Sequence, residues 1–357
     1  MTEPLLLEEL REMGILMSSG QLHNILVQGH ELFHQEKDSV LKAGLTGTFV
    51  QVDDTGNRHN EKNGFTTVIC SDLFTIFEST ESKSRLNFLE ILQGSTPKYR
   101  LTSESFVYLE RVHLPPHGFK KLQLGISYSN ELEWQGYLKS VGLDNPFHIR
   151  LATEAALIGG LLESEINPNL IILSDDAGQF NILLHALCWI HAERLIKKLE
   201  PINDFFASEL EAARDEIWSL YNELKAYKEA PTHEWANTIE AKFDVLFQKD
   251  FQFVSLKLAM KRLYKNKAEL LLVLKYPFIP LHNNQSETDA RDKVIRRKLS
   301  VTFADESRRC RDTFSSLKKT CRKLGHSFWI YLDDRLSCNP QIPDLGQLLR
   351  NRILSTA

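Results

Sequence analysis

The sequence predicts an α/β fold: a mixed five-stranded sheet with flanking helices, interrupted by an all-helical insertion before its last segment. Three observations carry this expectation. Runs rich in β-branched and aromatic residues cluster at 48–52, 65–70 and 73–77. A fourth apolar run, Leu170-Ile-Ile-Leu-Ser, stands alone far down the chain, with Ala186-Leu-Cys-Trp-Ile-His shortly after it. Most of the remaining chain repeats its apolar residues at helical spacing.

The elements follow in order. Residues 5–13 read as a helix that Gly14 breaks, Ser18-Ser19 caps a second over 20–29, and a third covers 32–43. Two short helices about a glycine turn fit either a helix-turn-helix or a plain helical hairpin. The three β runs come next, with Asp54-Thr-Gly-Asn and Ser71-Asp72 as turn material between them, which makes an antiparallel set the economical reading. A helix over 82–92 offers Leu86, Leu89, Ile91 and Leu92 for burial. After the strand at 170–174 a short helix from Gln179 and a final strand through His191 complete the series. Three strands, a helix, a strand, a helix and a strand is the chain order of an RNase H-like core, in which the first and fourth strands are neighbours.

This divides the chain as follows. Residues 1–45 are an N-terminal helical part, and 46–96 with 170–191 are the first parts of the core. Residues 97–169, with helical stretches at 129–141 and 151–163, are an insertion of no assigned role. Residues 192–280 form the all-helical insertion, with long patterns at 205–228 and 236–247. Residues 281–336 return to the core through a basic helix, and 337–357 are a C-terminal tail.

Composition narrows the class without naming a function. A chain of 357 residues that is 42% apolar and 25% charged is an ordinary globular protein. Its apolar stretches fall short of the roughly 18 residues of a membrane helix, and the acidic N-terminus does not read as a signal peptide, so a cytoplasmic protein is expected. Five scattered cysteines argue for reduced thiols, and Cys188-x-x-His191 has no second pair to make a zinc finger. Net charge is −4, yet 291–323 holds 12 Lys/Arg against 4 acids. That patch is either a solvated helix face or a seat for a phosphate backbone.

Three acids stand where chemistry is expected. Asp53 ends the first β run, Asp175 ends the fourth, and Glu287 opens the basic helix in Asn283-Asn-Gln-Ser-Glu. Carboxylates at strand ends beside a basic segment suit divalent metal held against phosphate. Each has a bland alternative. Asp53 and Asp175 fit strand-end turns, and Asn284-x-x-Glu287 fits a helix capping box. Asp54 and Asp176 are adjacent rivals, although neighbours on a strand point to opposite faces. For Cys188 and His191 the plain reading is a buried thiol and a core histidine.

Taken in order, Asp53-Asp-Thr, Ser174-Asp-Asp-Ala-Gly-Gln-Phe-Asn, Cys188-Trp-Ile-His-Ala-Glu-Arg and Pro280-Leu-His-Asn-Asn-Gln-Ser-Glu resemble the motif blocks of DDE transposases of bacterial insertion sequences, specifically the insertion sequence 66 family. The resemblance covers roughly residues 5–336. It implies Asp53, Asp175 and Glu287 as catalytic metal ligands, two Mg²⁺ ions with Mn²⁺ able to substitute, and cleavage and strand transfer of double-stranded DNA at element ends and target. It further implies a homo-oligomer that pairs both ends, with His191, Arg291, Arg296, Arg297 and Lys298 as DNA contacts. Departures are present. Asp54 replaces the family's Glu, Asp176-Ala177 replaces Gly-Tyr, and Thr288 replaces an Arg, so that Arg291 becomes the nearest cation on that helix face. Family members carry further N-terminal segments, which leaves open a truncated element. The alternatives are an inactive transposase-derived DNA-binding protein and an RNase H-like nuclease.

Overall fold

The computed structural model describes residues 2–59, 62–299, 304–337 and 340–356; the side chains of 296–299 and 356 lie outside that description. Its compact units are two: Met1–Leu170 with Gln285–Ala357, and Ile171–Asn284.

The first unit opens with α1 (Glu3–Glu12) and α2 (Ser19–Val27). Gly14, at φ +80°, turns the chain after α1. Ser18 begins α2 with a reciprocal capping box: its hydroxyl accepts from the Gln21 amide at 3.2 Å, and the Gln21 side chain accepts from the Ser18 amide at 2.8 Å. The next helix, α3 (Glu31–Gly44), buries Val40, Leu41 and Ala43. Its last residue must be glycine, because a Cβ there would sit 2.3 Å from the Phe74 ring.

Three antiparallel strands follow: β1 (Phe49–Gly56), β2 (Phe65–Cys70) and β3 (Thr75–Thr80). The register sets Asp53 opposite Val68 and Val68 opposite Phe77. β1 runs past the turn expected at Asp54, since Asp54, Thr55 and Gly56 pair with Thr67, Thr66 and Phe65. Asp53 therefore lies inside a strand rather than at its end; cross-strand pairing overrides the local turn signal.

The stretch after β3 has a small core of its own. It comprises α4 (Arg85–Gln93), β4 (Tyr99–Arg100), α5 (Ser103–Arg111), α6 (Pro116–Phe119), β5 (Ser127–Tyr128), α7 (Glu131–Ser140) and α8 (Pro146–Leu162). Phe88 supplies α4's apolar face together with Leu89, Ile91 and Leu92, whereas Leu86 is only half-buried. Tyr99 stacks on the fully buried Trp134, whose indole N–H donates to the Thr153 hydroxyl at 2.9 Å. Gly159 and Gly160 let α8 approach the backbone of residues 98–100, where a Cβ would lie 2.1 Å from a carbonyl oxygen in each case.

The second unit begins with β6 (Ile171–Ser174), a 3₁₀ turn at Gly178–Phe180, and β7 (Leu184–Leu187), which pairs parallel to β6. The expected strand through His191 is corrected: the strand stops at Leu187, Cys188 is the cap, and α9 (Trp189–Lys197) carries His191. The rest is helical, in α10 (Asp204–Glu229), α11 (His233–Phe247), α12 (Val254–Lys265), α13 (Lys267–Leu270) and α14 (Leu272–Lys275). Trp189 anchors this set. It meets Phe243 edge-on at 6.2 Å and donates to the Leu270 carbonyl at 2.9 Å.

The chain completes the first unit with α15 (Asn284–Leu299), α16 (Asp305–Lys323), α17 (Phe328–Leu336) and α18 (Leu345–Thr356). α15 and α16, together with α3, enclose the antiparallel strands. Ala290 of α15 packs on Val68 and Phe77, on one face. Lys37 of α3 pairs with Glu78, which alternates to the other face. α16 runs along the edge strand β3, where Thr320, Ser316 and Asp312, one helical turn apart, accept from the amides of Thr75 (3.2 Å), Phe77 (2.9 Å) and Ser79 (2.9 Å). An exposed edge would present those amides for pairing with another chain; the helix closes it. The C-terminal tail, 337–357, includes α18, which packs on α3, and the Leu345 amide donates to Glu36, a carboxylate also held by Tyr331 and Arg335.

Over the whole chain the fold is α/β with a five-stranded mixed sheet and many helices. No described helix is long and apolar enough to cross a membrane.

Candidate functional site

In the first unit, Asp53 and Glu287 belong to the same helix–sheet layer. Asp53 lies directly across from Val68, so both side chains leave the same face of the strands. Val68 contacts Ala290 on α15, and Glu287 is one helical turn before Ala290, on the same side of that helix. The start of α15 is tied to β1 by the Gln285 amide, which donates to the Gln51 side chain at 3.2 Å, and Gln51 shares the Asp53 face. Both carboxylates are half-buried.

Asp54 is directed elsewhere. Its carboxylate accepts the Thr67 hydroxyl at 2.6 Å, across the strand pair on the α3 face. The capping-box alternative for Glu287 is off register, because Asn284 is already helical and a box needs its Asn at the residue before the helix.

A second acid of α15, Asp289, fixes how this helix sits, and the sequence motifs do not include it. It is 5% exposed and accepts from the Thr75 hydroxyl (2.7 Å), Lys323 (2.7 Å) and Lys319 (3.2 Å). Burial raises its pKa, but Lys323, Thr75 and Lys319 outweigh this and hold the carboxyl below its usual range. Nothing local in the sequence marks it, since its partners come from β3 and α16.

In the second unit, Asp175 directly follows β6 and its side chain accepts from the Ala177 amide at 3.1 Å, forming a tight turn. Its rival Asp176 is clamped by α12: Arg262 donates through Nε at 3.0 Å and Nη2 at 2.5 Å, and Asn266 adds a bond at 3.1 Å. Asp175, His191, Arg194, Lys198 and Arg262 line one cavity of about 400 Å³. His191 Nε2 is 3.2 Å from Arg194, so the third sequence block sits beside the second as a polar, cationic wall.

The basic patch divides into internal and exposed charges. Lys293 pairs with buried Asp312, Lys319 bridges Asp289 and Asp292, and Lys323 bonds Asp289 and the carbonyls of Ser71 and Phe74. Arg308 and Arg309 pair with Asp305 and Glu31. Arg291, Lys318 and Arg322 are exposed. The side chains of Arg296, Arg297 and Lys298 lie outside the described residues.

Two comparisons bear on this geometry. Residues 169–309, which include Asp175, His191 and Glu287, match the family described as Transposase IS66 family. The chain is also 39% identical over 308 residues to "Uncharacterized protein y4jO" of Sinorhizobium fredii (strain NBRC 101917 / NGR234), covering 85% of this chain and 96% of that protein. That relative brings no activity with it, but the shared length is nearly complete. The chain belongs to the IS66 family of transposases.

Proposed function

We propose that this chain is a DDE-type transposase with an RNase H-like core, in which Asp53, Asp175 and Glu287 are the divalent-metal ligands, and that it cleaves double-stranded DNA at element ends and joins it to a target. The observation carrying this reading is the selection within each acid pair. Asp54 accepts from Thr67 on the α3 face and Asp176 is held by Arg262 and Asn266, whereas Asp53, the acid the motif blocks name, is on the β1 face that meets α15, and Asp175 lines a cavity with His191 and Arg194. Three antiparallel strands, followed after five helices and a small two-stranded sheet by two parallel strands, support the core assignment.

The donor set fits the metal. Three carboxylates are hard oxygen ligands, which suit Mg²⁺ or Mn²⁺ rather than a thiophilic ion. Such ions, when bound, activate a water or 3′-hydroxyl and neutralise charge on the leaving oxygen. The protein's own part is to hold and orient. Asp289 fixes how α15, the helix that carries Glu287, sits, Arg262 fixes the turn that carries Asp175, and Arg194 and Lys198 offer positive charge to a phosphodiester. Arg291, four residues after Glu287 and exposed, offers positive charge on α15. Action as an oligomer that pairs two ends belongs to the same proposal.

The test is a cleavage and strand-transfer assay on duplex carrying the element's ends, in Mg²⁺ or Mn²⁺. Asp53→Asn and Glu287→Gln abolish both steps while the far-ultraviolet circular dichroism stays unchanged. Wild-type rates in either variant refute the assignment. Salt-dependent binding without cleavage in wild type identifies a DNA-binding remnant instead, and cleavage confined to RNA or branched DNA identifies a nuclease.

A further inference from the structure

The first unit holds a second set of ligand-type side chains, away from the three acids and soft where they are hard. His34 of α3 faces Glu306 and Cys310 of α16, and one donor atom from each lies within 4.8 Å of the others. His34 Nε2 is 3.9 Å from Cys310 Sγ and 3.6 Å from a Glu306 carboxylate oxygen. Tetrahedral zinc with ordinary bond lengths separates a bound nitrogen from a bound sulfur by about 3.5 Å, and from a bound oxygen by about 3.3 Å. The two distances from His34 need only a few tenths of an ångström of contraction.

We propose that His34, Glu306 and Cys310 form a binding site for a thiophilic divalent ion of the zinc class, with solvent in the fourth position. The spacing favours it, because Glu306 and Cys310 are one turn apart on one face of α16. The histidine is already oriented. Its Nδ1 is 2.7 Å from the hydroxyl of fully buried Thr313, and donation from Nδ1–H to that oxygen turns the Nε2 lone pair toward the thiol and carboxylate. His34 and Cys310 are 3% and 4% exposed, while Glu306 faces solvent and gives the ion a way in.

Protonation is compatible. Burial, then the nearby Arg309, hold the His34 imidazole below its usual pKa, so it is neutral and able to ligate at neutral pH. Burial raises the Cys310 pKa, and as a thiol this residue donates to the Val27 carbonyl at 3.5 Å. Ion uptake expels that thiol proton to solvent and leaves the sulfur as thiolate. The Arg309 guanidinium is drawn off towards the acids beside it, pairing with Glu31 at 3.3 Å and with Glu306 at 3.8 Å. The bound ion joins α3 to the start of α16, the helix that closes the β3 edge.

Cobalt(II) titration of the metal-stripped, reduced full chain tests this, because a cobalt–thiolate bond gives a charge-transfer band that carboxylate sites lack. Wild type shows the band saturating at one equivalent, unaffected by excess Mg²⁺ and bleached by Zn²⁺. Cys310→Ser removes it. Glu306→Gln, on an exposed side chain that does not threaten folding, weakens cobalt binding by about tenfold or more. Asp53→Asn keeps the band, which separates this site from the proposed catalytic centre. No band in excess cobalt, a band that survives Cys310→Ser, or unchanged affinity in Glu306→Gln overturns the proposal.

Discussion

The sharpest test of the catalytic proposal is the contrast between two adjacent aspartates. Asp53 and Asp54 differ by one residue on β1 but leave opposite faces of the strand, Asp53 toward α15 and Asp54 toward Thr67 and α3. Asp54→Asn keeps an oxygen that accepts the Thr67 hydroxyl and loses the charge assistance of that 2.6 Å bond. The cost to stability is about 1 kcal/mol, and strand transfer stays within about threefold of wild type. Asp53→Asn removes an anionic ligand and leaves the Thr67 bond intact. Its stability is near wild type, but strand transfer falls by about a thousandfold or more, corresponding to about 4 kcal/mol of lost transition-state stabilisation. Urea unfolding and a labelled-duplex strand-transfer assay on the same preparations read both quantities. Equal loss of activity in folded Asp53→Asn and Asp54→Asn would show that strand alternation does not select the ligand, and the argument from Thr67 would fail.

Two further outcomes concern how α15 and α16 hold the layer. Asp289→Asn leaves Lys323 and Lys319 without their shared carboxylate, although Lys319 retains Asp292 and Lys323 retains two carbonyls; the loss is about 2 kcal/mol at neutral pH. Because the folded-state pKa of Asp289 is depressed, its contribution is present above the unfolded carboxylate value and disappears as pH falls through the folded one, so the urea midpoints of wild type and variant converge in acid below the usual carboxylate range. Parallel midpoints at every pH would contradict the ion-pair account. Ser316→Ala strips the Phe77 amide of its acceptor on the closed edge and costs about 1–3 kcal/mol in the same assay, with more self-association than wild type by light scattering. A neutral Ser316→Ala would mean that α16 does not protect this edge.

Elements whose signal is local are legible in the sequence. Residues 65–70 are six consecutive β-type side chains and form β2 over those same residues, and the pattern at 205–228 is the body of α10. The reading departs from the fold where two local signals compete or the deciding partner is distant. Asp54-Thr-Gly-Asn reads as a turn until Thr67 and Thr66 arrive from β2 to continue the ladder. The apolar run through Cys188, Trp189 and Ile190 suits strand or helix alike; α9 wins because Trp189, Ala192, Glu193 and Ile196 bury one helical face. The clamp on Asp176 comes from Arg262 and Asn266, 86 and 90 positions away, and the anchor on Asp289 comes from α16. No local pattern encodes either partner, so the sequence names Asp53 and Asp175 by resemblance while what holds Asp176 and Asp289 is legible only in the fold.

Charge counting fails for the same reason, and this changes where DNA contacts should be sought. The excess of lysine and arginine over 291–323 fits a solvated helix face or a seat for a phosphate backbone, outward charge in either case. Three of those cations, Lys293, Lys319 and Lys323, instead point inward and satisfy Asp312 and Asp289, each 3–5% exposed. A buried carboxylate must have a counter-charge, so these lysines exist to let α15 and α16 dock on the strands and add little to the outside potential. α16 is thus first an edge cover, with Asp312, Ser316 and Thr320 facing β3 and Lys318 and Arg322 left on its outer side. Among the described residues, the proposed function puts phosphate at the cations near the candidate acids in the chain or the cavity: Arg291 on the exposed side of α15, and Arg194 and Lys198 in the Asp175 cavity. Neutralising Lys318 and Arg322 should therefore lower the salt dependence of DNA binding less than neutralising Arg194 and Lys198, even though both pairs remove the same formal charge.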